Sequence, residues 1–346
     1  MGAHQVYLRP LYFHEGAQAA GGRLAGGPVR FSHVEIISRV DNSRTLISYQ
    51  DVAASRETAI QEALAALEET RAPLSGLDLT SPKIMGIVNV TPDSFSDGGE
   101  FHDHSDAIAQ AIQAAEDGAH ILDIGGESTR PGSDPVDEVT ECARVLPVIE
   151  ALSGRGTPIS CDTRKSSVMR KAMAAGAHII NDISSLTYDP DARATAAELA
   201  APVILMHSKG EPKVMQDAPA YNDVCLEVFD ELSANIEACV DAGIPRAKIV
   251  ADPGIGFGKT FTHNLELIND LAVFHGLGVA LMLGVSRKGF LGALTGVTEA
   301  RDRAVGSVSA ALSGLARGVQ LFRVHDVKQT AEAFAVWEGI RQRQVP

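Results

Sequence analysis

The 346-residue chain is predicted to be an α/β protein, a (β/α)8 TIM barrel with a small N-terminal α/β extension. Three observations predict this. From Lys83 onward, eight short β-rich apolar runs alternate with Ala-rich helical stretches, the rhythm of β-α units. The runs are apolar throughout rather than alternating, as strands covered on both faces are. The eight units also fill roughly the ~250 residues that such a barrel needs. A doubly wound open sheet would alternate in the same way, but a count of eight is what closure requires.

In order, residues 1–80 read as an extension of unknown role and 81–346 as the barrel. The Gly/Ala-rich stretch EGAQAAGGRLAGG reads as a flexible loop. VRFSHVEIISR and RTLISYQ read as short strands, and RETAIQEALAALEETRA sets Ile60, Leu64 and Leu67 on one helical face. RAPLSGLDLTSP then suits a boundary near residue 80. The barrel strands are expected at 83–89, 119–125, 158–162, 177–182, 202–207, 248–253, 279–286 and 319–325. Several of the helical stretches between them end in Gly, as a helix stop should.

Composition narrows the function. Hydrophobic residues make up 45% and charged residues 21%, which excludes wholesale disorder. Thirty Lys and Arg against 44 Asp and Glu leave a net charge of −14, which argues against nucleic acid as a partner. Cys142, Cys161, Cys225 and Cys239 form no C-x-x-C pair and are too few for a disulfide scaffold. No apolar run approaches a membrane span, and the first residues, MGAHQVYLRPLYFHEG, lack the pattern of a signal peptide. Val6 also stands where a myristoylation signal needs Ser or Thr. The expectation is a cytoplasmic enzyme with no membrane partner.

The informative residues are polar ones at strand ends: Asn89, Asp162, Asn181 with Asp182, His207, Asp252, the Ser286-Arg287-Lys288 run, and Arg323 with His325. Closing the barrel would gather them on the face where such barrels carry their sites. Asp162, Asn181 and Asp252 suit a planar ligand edge such as an amino-pyrimidinone. Arg287, Lys288, Arg323 and His325 suit phosphate or carboxylate oxygens. The loops NVTPDSFSDGGEF and GGESTRPGS are dense in hydroxyls, carboxylates, Gly and Pro, as loops that close on a substrate are. Asn89 near an anion could hold Mg²⁺, an oxygen-seeking ion. DPGIGFGKT is neither phosphate-loop fingerprint: Pro253 stands where the P-loop pattern needs Gly, and Lys259 where the dinucleotide pattern does. Its glycines read instead as a tight turn beside Asp252. Cys161 lacks an activating partner and reads as buried packing. His207 and His325 do not form a spaced metal pair.

The segments IVNVTPDSFSDGG, LDIGGESTRPGS, ISCDTRKSSV, IINDIS, MHSKGEPKVMQ, DPGIGFGK, GVSRKGFLG and FRVHDV, in order on successive strands, resemble the dihydropteroate synthase family from about Lys83 to Trp337. That resemblance implies condensation of 6-hydroxymethyl-7,8-dihydropterin diphosphate with 4-aminobenzoate to give 7,8-dihydropteroate and pyrophosphate, a step of folate biosynthesis. In the family, pyrophosphate leaves first and the arylamine traps the pterin cation. By resemblance, Thr129, Asp162, Asn181, Met206, Asp252 and Lys288 hold the pterin, and Asn89, Arg323 and His325 hold the diphosphate, Asn89 through Mg²⁺. Phe95, Arg130, Pro131, Ser286 and Arg287 would surround the aminobenzoate, Asp97 would help stabilise the cation, and Lys288, Arg323 and His325 would share the catalysis. Family members are commonly homodimers, with the late barrel helices the expected contact.

Two other readings share the barrel. A corrinoid-dependent methyltransferase that takes a methyl group from a reduced folate would not need NVTPDSF or the Arg323-x-His325 pair. A non-catalytic pterin-binding protein should have lost loop residues such as Asp97 or Arg130, and both are present. The resemblance says nothing of residues 1–80, and Ser208-Lys209 falls in a variable part of the pattern.

Overall fold

In a computed structural model of the chain, residues 6–15, 21–41, 43–91, 100–128, 133–210 and 219–343 are described. Among them, eight parallel strands close a barrel. These are β5 (Lys83–Asn89), β6 (Ile121–Gly125), β7 (Ile159–Asp162), β8 (Ile179–Asp182), β9 (Val203–Met206), β10 (Ile249–Asp252), β11 (Ala280–Leu283) and β12 (Leu321–Val324). The first and last pair directly, Lys83 against Leu321 through Gly86 against Val324, and this seam closes the sheet. The expected strands all occur, each centred within the range read from the sequence.

The barrel helices are α3 (Glu100–Glu116), α4 (Glu138–Leu152), α5 (Ser166–Ala175), α6 (Ala192–Glu198), α7 (Val224–Asp241), α8 (Phe261–Asn269), α9 (Gly289–Thr295), α10 (Ala304–Leu315) and α11 (Val327–Gln342). Local chemistry sets several of their starts. Asp137, Asp223 and Thr260 accept hydrogen bonds from the backbone amides of Thr140, Leu226 and His263, satisfying N–H groups that a helix start leaves without a partner. After α8 ends at Asn269, the chain continues as a 3₁₀ segment, Leu271–Leu277.

Residues before the barrel form β1 (Val6–Glu15), β2 (Gly22–Arg23), β3 (Val29–Ser38), β4 (Arg44–Ser48), α1 (Tyr49–Ala53) and α2 (Thr58–Glu68). β3 is central, with β1 antiparallel along one edge and β2 and β4 along the other. The sequence reading missed β1, which carries Pro10. Pro is tolerated there because β1 is an edge strand. The stretch read as a flexible loop also needs correction over its described part: β2 lies in it, and Leu24 is fully buried against Val29, Phe31 and Leu67.

This unit is fastened to the side and floor of the barrel. Leu8, Ile60, Leu64 and Leu67 share one apolar cluster with Ala272. Tyr7 stacks edge-on against Phe229 at 5.3 Å, and its hydroxyl donates to Asp230 at 2.6 Å. Arg39 also pairs with Asp230, and Arg9 with Asp270. Arg71 donates to the carbonyl of buried His275 at 2.8 Å. The segment between the two parts does more than connect them. Leu74 and Leu79 pack with Met85, Ile121, Ile179 and Leu321 inside the barrel, at the end where the strands begin.

Candidate active site

A strand's side chains alternate between faces, so residues two apart share one. Ile121, Ile179, Ile204, Val250 and Leu321 point into the barrel. Counting two onward from each gives Asp123, Asn181, Met206, Asp252 and Arg323. Asp162 occupies the equivalent place on β7, paired in register with Asn181. An apolar floor therefore carries a second, mostly polar layer at the strands' C-terminal ends. In a barrel interior that layer cannot reach bulk water through the wall, so its groups must pair with one another or with a ligand.

Arg323 organises one half of the layer. Its Nε donates to Asp123 Oδ2 at 2.6 Å and its Nη2 to Asp162 Oδ2 at 2.7 Å. Asn181 Nδ2 donates to the same Asp123 oxygen at 3.1 Å. Asp123, fully buried, was not singled out from the sequence. Its signal was there: a lone carboxylate inside the apolar run ILDIG, which a buried strand carries only if a cation meets it. Two carboxylates share one guanidinium. Burial and the neighbouring Asp123 push the Asp162 carboxyl up, Arg323 opposing, while the two carboxylates hold the Arg323 guanidinium firmly charged against burial. Asp123 Oδ1 and Asn181 Oδ1 are buried with no hydrogen-bond partner among the described residues.

The other half centres on Asp252, 3% exposed. Its Oδ1 accepts the Gly254 amide at 2.8 Å, as a tight turn beside Asp252 requires. Gly254 has φ +68°, and a Cβ there would lie 1.9 Å from the His207 carbonyl oxygen, so only glycine fits. Burial raises the Asp252 carboxyl despite Lys288 and Lys259 nearby. Lys288 Nζ stands 4.0 Å over the Phe257 ring, and burial pulls its ammonium down to about 8 with Asp252 opposing. Met206 is buried beside Asp252, its register partner on β10.

Toward the seam, Ser286 Oγ accepts the His325 amide at 3.1 Å and lies 3.0 Å from His325 Nδ1. Arg287, at φ +60°, is held by Asp326 through Nε and Nη2 at 3.1 and 2.6 Å. Asn89 closes β5, half-buried, opposite Gly125. Asp182 proves to serve its own turn rather than the layer: it accepts bonds from the Ser184 amide and hydroxyl and the Leu186 amide. Burial pushes its carboxyl up to about 6 against those bonds. Behind Asp162, Glu127 pairs with Arg164 and Lys165 at 2.9 and 2.8 Å, and Lys165 pairs with buried Glu141. Phe95, Asp97, Thr129, Arg130 and Pro131 lie outside the described residues.

A barrel whose polar layer sets carboxylates and an amide around one shared guanidinium, above an apolar floor, defines a class. The chain belongs to the pterin-binding enzymes, whose family description matches residues 85–325. Within that class it belongs with the dihydropteroate synthases. It is 48% identical over 267 residues to the dihydropteroate synthase of Neisseria meningitidis serogroup C, covering 76% of this chain and 94% of the relative. The structure of the Xanthomonas albilineans dihydropteroate synthase with 4-aminobenzoic acid superposes with a TM-score of 0.74 at 46% identity, covering 80% of this chain and 99% of the other. The same enzyme in complex with 7,8-dihydropteroate gives 0.71 at 44% identity, covering 78% and 97%.

Proposed function

We infer that this chain is a dihydropteroate synthase, joining 6-hydroxymethyl-7,8-dihydropterin diphosphate to 4-aminobenzoate with release of pyrophosphate. The observation that carries the reading is the polar layer of Asp123, Asp162, Asn181, Asp252 and Arg323 above an apolar floor. In our reading, Asp252 accepts from the pyrimidine N–H and amino groups, and Asn181 and Asp162 take the ring's remaining polar atoms. A buried acceptor left unpaired costs about 1–3 kcal/mol, which makes the array selective for that edge. Met206 lies against the ring, and Lys288 meets its carbonyl.

The C–O bond between the pterin methylene and the diphosphate breaks first, and pyrophosphate keeps the electron pair. Arg323 and His325 stabilise its growing charge, the task in which preorganised groups contribute most. The amine nitrogen of 4-aminobenzoate then bonds to the methylene cation and releases its proton. Ser286 and Arg287 face the aminobenzoate carboxylate in this reading. Phe95, Thr129, Arg130, Pro131 and Asp97, on the two long loops, complete the pockets.

Mg²⁺ would fit this site as a companion of the diphosphate. Among the described residues no group of three or more His, Cys, Asp or Glu is placed to hold a metal ion. Mg²⁺ characteristically binds through few protein oxygens, substrate phosphates and water. The Asn89 side-chain oxygen would be its protein ligand, and the ion would neutralise the leaving diphosphate. Val305 on α10 and Val336 and Ile340 on α11 are exposed, which supports a homodimer through the late barrel helices. The four cysteines are buried thiols, in keeping with a cytoplasmic setting. The test is to mix the purified protein with dihydropterin diphosphate, 4-aminobenzoate and Mg²⁺ and follow pyrophosphate and dihydropteroate together. Equal amounts of both are expected. Tight pterin binding with neither product would overturn the reading.

A further inference from the structure

Lys259 follows the Gly254–Gly258 turn, and none of the steps above uses it. It is 2% exposed, and a lysine is almost never buried without partners. Its Nζ lies 2.9 Å from His207 Nδ1 and donates to the Phe257 carbonyl at 2.9 Å and the His207 carbonyl at 3.4 Å. His207, buried at the end of β9, places its Nε2 2.9 Å from Glu231 on α7. An ammonium only donates, so Nδ1 is the acceptor and Nε2 carries the proton given to the carboxylate. One line of hydrogen bonds thus runs from a half-exposed carboxylate on the outer helix to the turn beside Asp252.

That turn carries two elements of the site. Its Gly254 amide fixes Asp252, and its Phe257 ring lies under Lys288. We propose that Lys259 is a positioning residue of the pterin site, tying the Phe257 carbonyl to the end of β9 and thereby setting the ring that supports Lys288. This rests on the synthase reading. Glu231 from α7, His207 just after β9, Asp252 from β10, and Lys288 and Lys209 from their loops are the titratable groups around the Lys259 ammonium. Burial draws that ammonium down to about 7, while Asp252 and Glu231 help it keep its charge.

The experiment compares wild type, Lys259→Met and Glu231→Gln in steady-state turnover, with thermal melting alongside. In Lys259→Met the KM for pterin diphosphate should rise about tenfold or more, the loss of one charge-assisted hydrogen bond, while the KM for 4-aminobenzoate stays within about twofold. In Glu231→Gln the rise in pterin KM with pH should begin at lower pH than in wild type. Equal changes in both KM values, or a pterin KM unchanged in both variants across neutral pH, would overturn the proposal. If Lys259→Met does not fold, the pterin KM profile of Glu231→Gln decides alone. Failure of wild type to make dihydropteroate would instead overturn the synthase reading itself.

Discussion

At Arg323 one guanidinium answers two buried carboxylates, and the balance among the three decides what each substitution does. Asp123→Ala leaves the part-exposed Arg323 with Asp162 as its remaining ion-pair partner, which costs about 1.5–3 kcal/mol, the loss of one charged hydrogen bond. Denaturant unfolding should read a loss of that order, with pterin binding weakened through Asn181, which also leans on Asp123. Arg323→Ala should chiefly weaken the diphosphate. Because Asp123 and Asp162 also lose their shared cation, calorimetric titration should show affinity falling for a pterin lacking phosphates and falling further for the diphosphate, and an unchanged diphosphate affinity would refute the role. His275 offers a pH test far from the chemistry. It is fully buried, its Nε2–H donates to the Arg317 carbonyl at 2.9 Å, and burial together with Arg71 pulls its pKa down to about 3. The unfolded chain therefore takes up a proton there that the folded chain refuses between about pH 6.5 and 3. Stability is lost as pH falls through that window, by up to about 1.4 kcal/mol per unit. His275→Gln should flatten the slope measured by denaturant unfolding at successive pH values.

The turn after β10 shows what an element can demand of its sequence. Gly254→Ala would drive a Cβ into the His207 carbonyl, displacing the amide that fixes Asp252. The expected result is a folded protein with pterin affinity down at least about tenfold, the equivalent of one lost charged hydrogen bond; calorimetry beside a melting curve would separate the two effects. Much of this was legible in the sequence. The barrel strands were, because each is a short apolar run between helical stretches; Asn181 and Asp252 were, because they stand at the exits of such runs, and Arg323 was, because it is a charged residue paired with His325 at the exit of its run. Asp123 escaped because it sits within its run, where only the two-residue count from Ile121 finds it. β1 escaped because Pro10 disguises an edge strand. The line from Glu231 through His207 to Lys259 escaped because it joins three segments that only the closed barrel brings together.

For the whole molecule, the N-terminal unit packs on the side and floor of the barrel, through Phe229, Asp230, Asp270 and Ala272, and these contacts involve no residue of the polar layer, so stability and chemistry should separate. Removing residues 1–69 deprives Phe229 and Ala272 of their cover but leaves Leu74 and Leu79 in place. That variant should melt at a lower temperature and still turn over. Removing residues 1–80 withdraws both leucines from the barrel interior. Each buried leucine lost is worth about 2–5 kcal/mol, comparable in sum with the whole stability of a domain, so no cooperative melting transition is expected.

The seam between β5 and β12 also has a meaning in time. A ribosome makes β5 more than two hundred residues before its partner β12, so over that interval the growing sheet has an open edge that invites wrong pairing. The apolar face of the N-terminal sheet waits as well, since Phe229, Ala272 and Trp337 are made long after it. Nascent chains stalled at successive lengths should stay protease-sensitive until Val324 has cleared the exit tunnel, and become resistant within a few residues of that point.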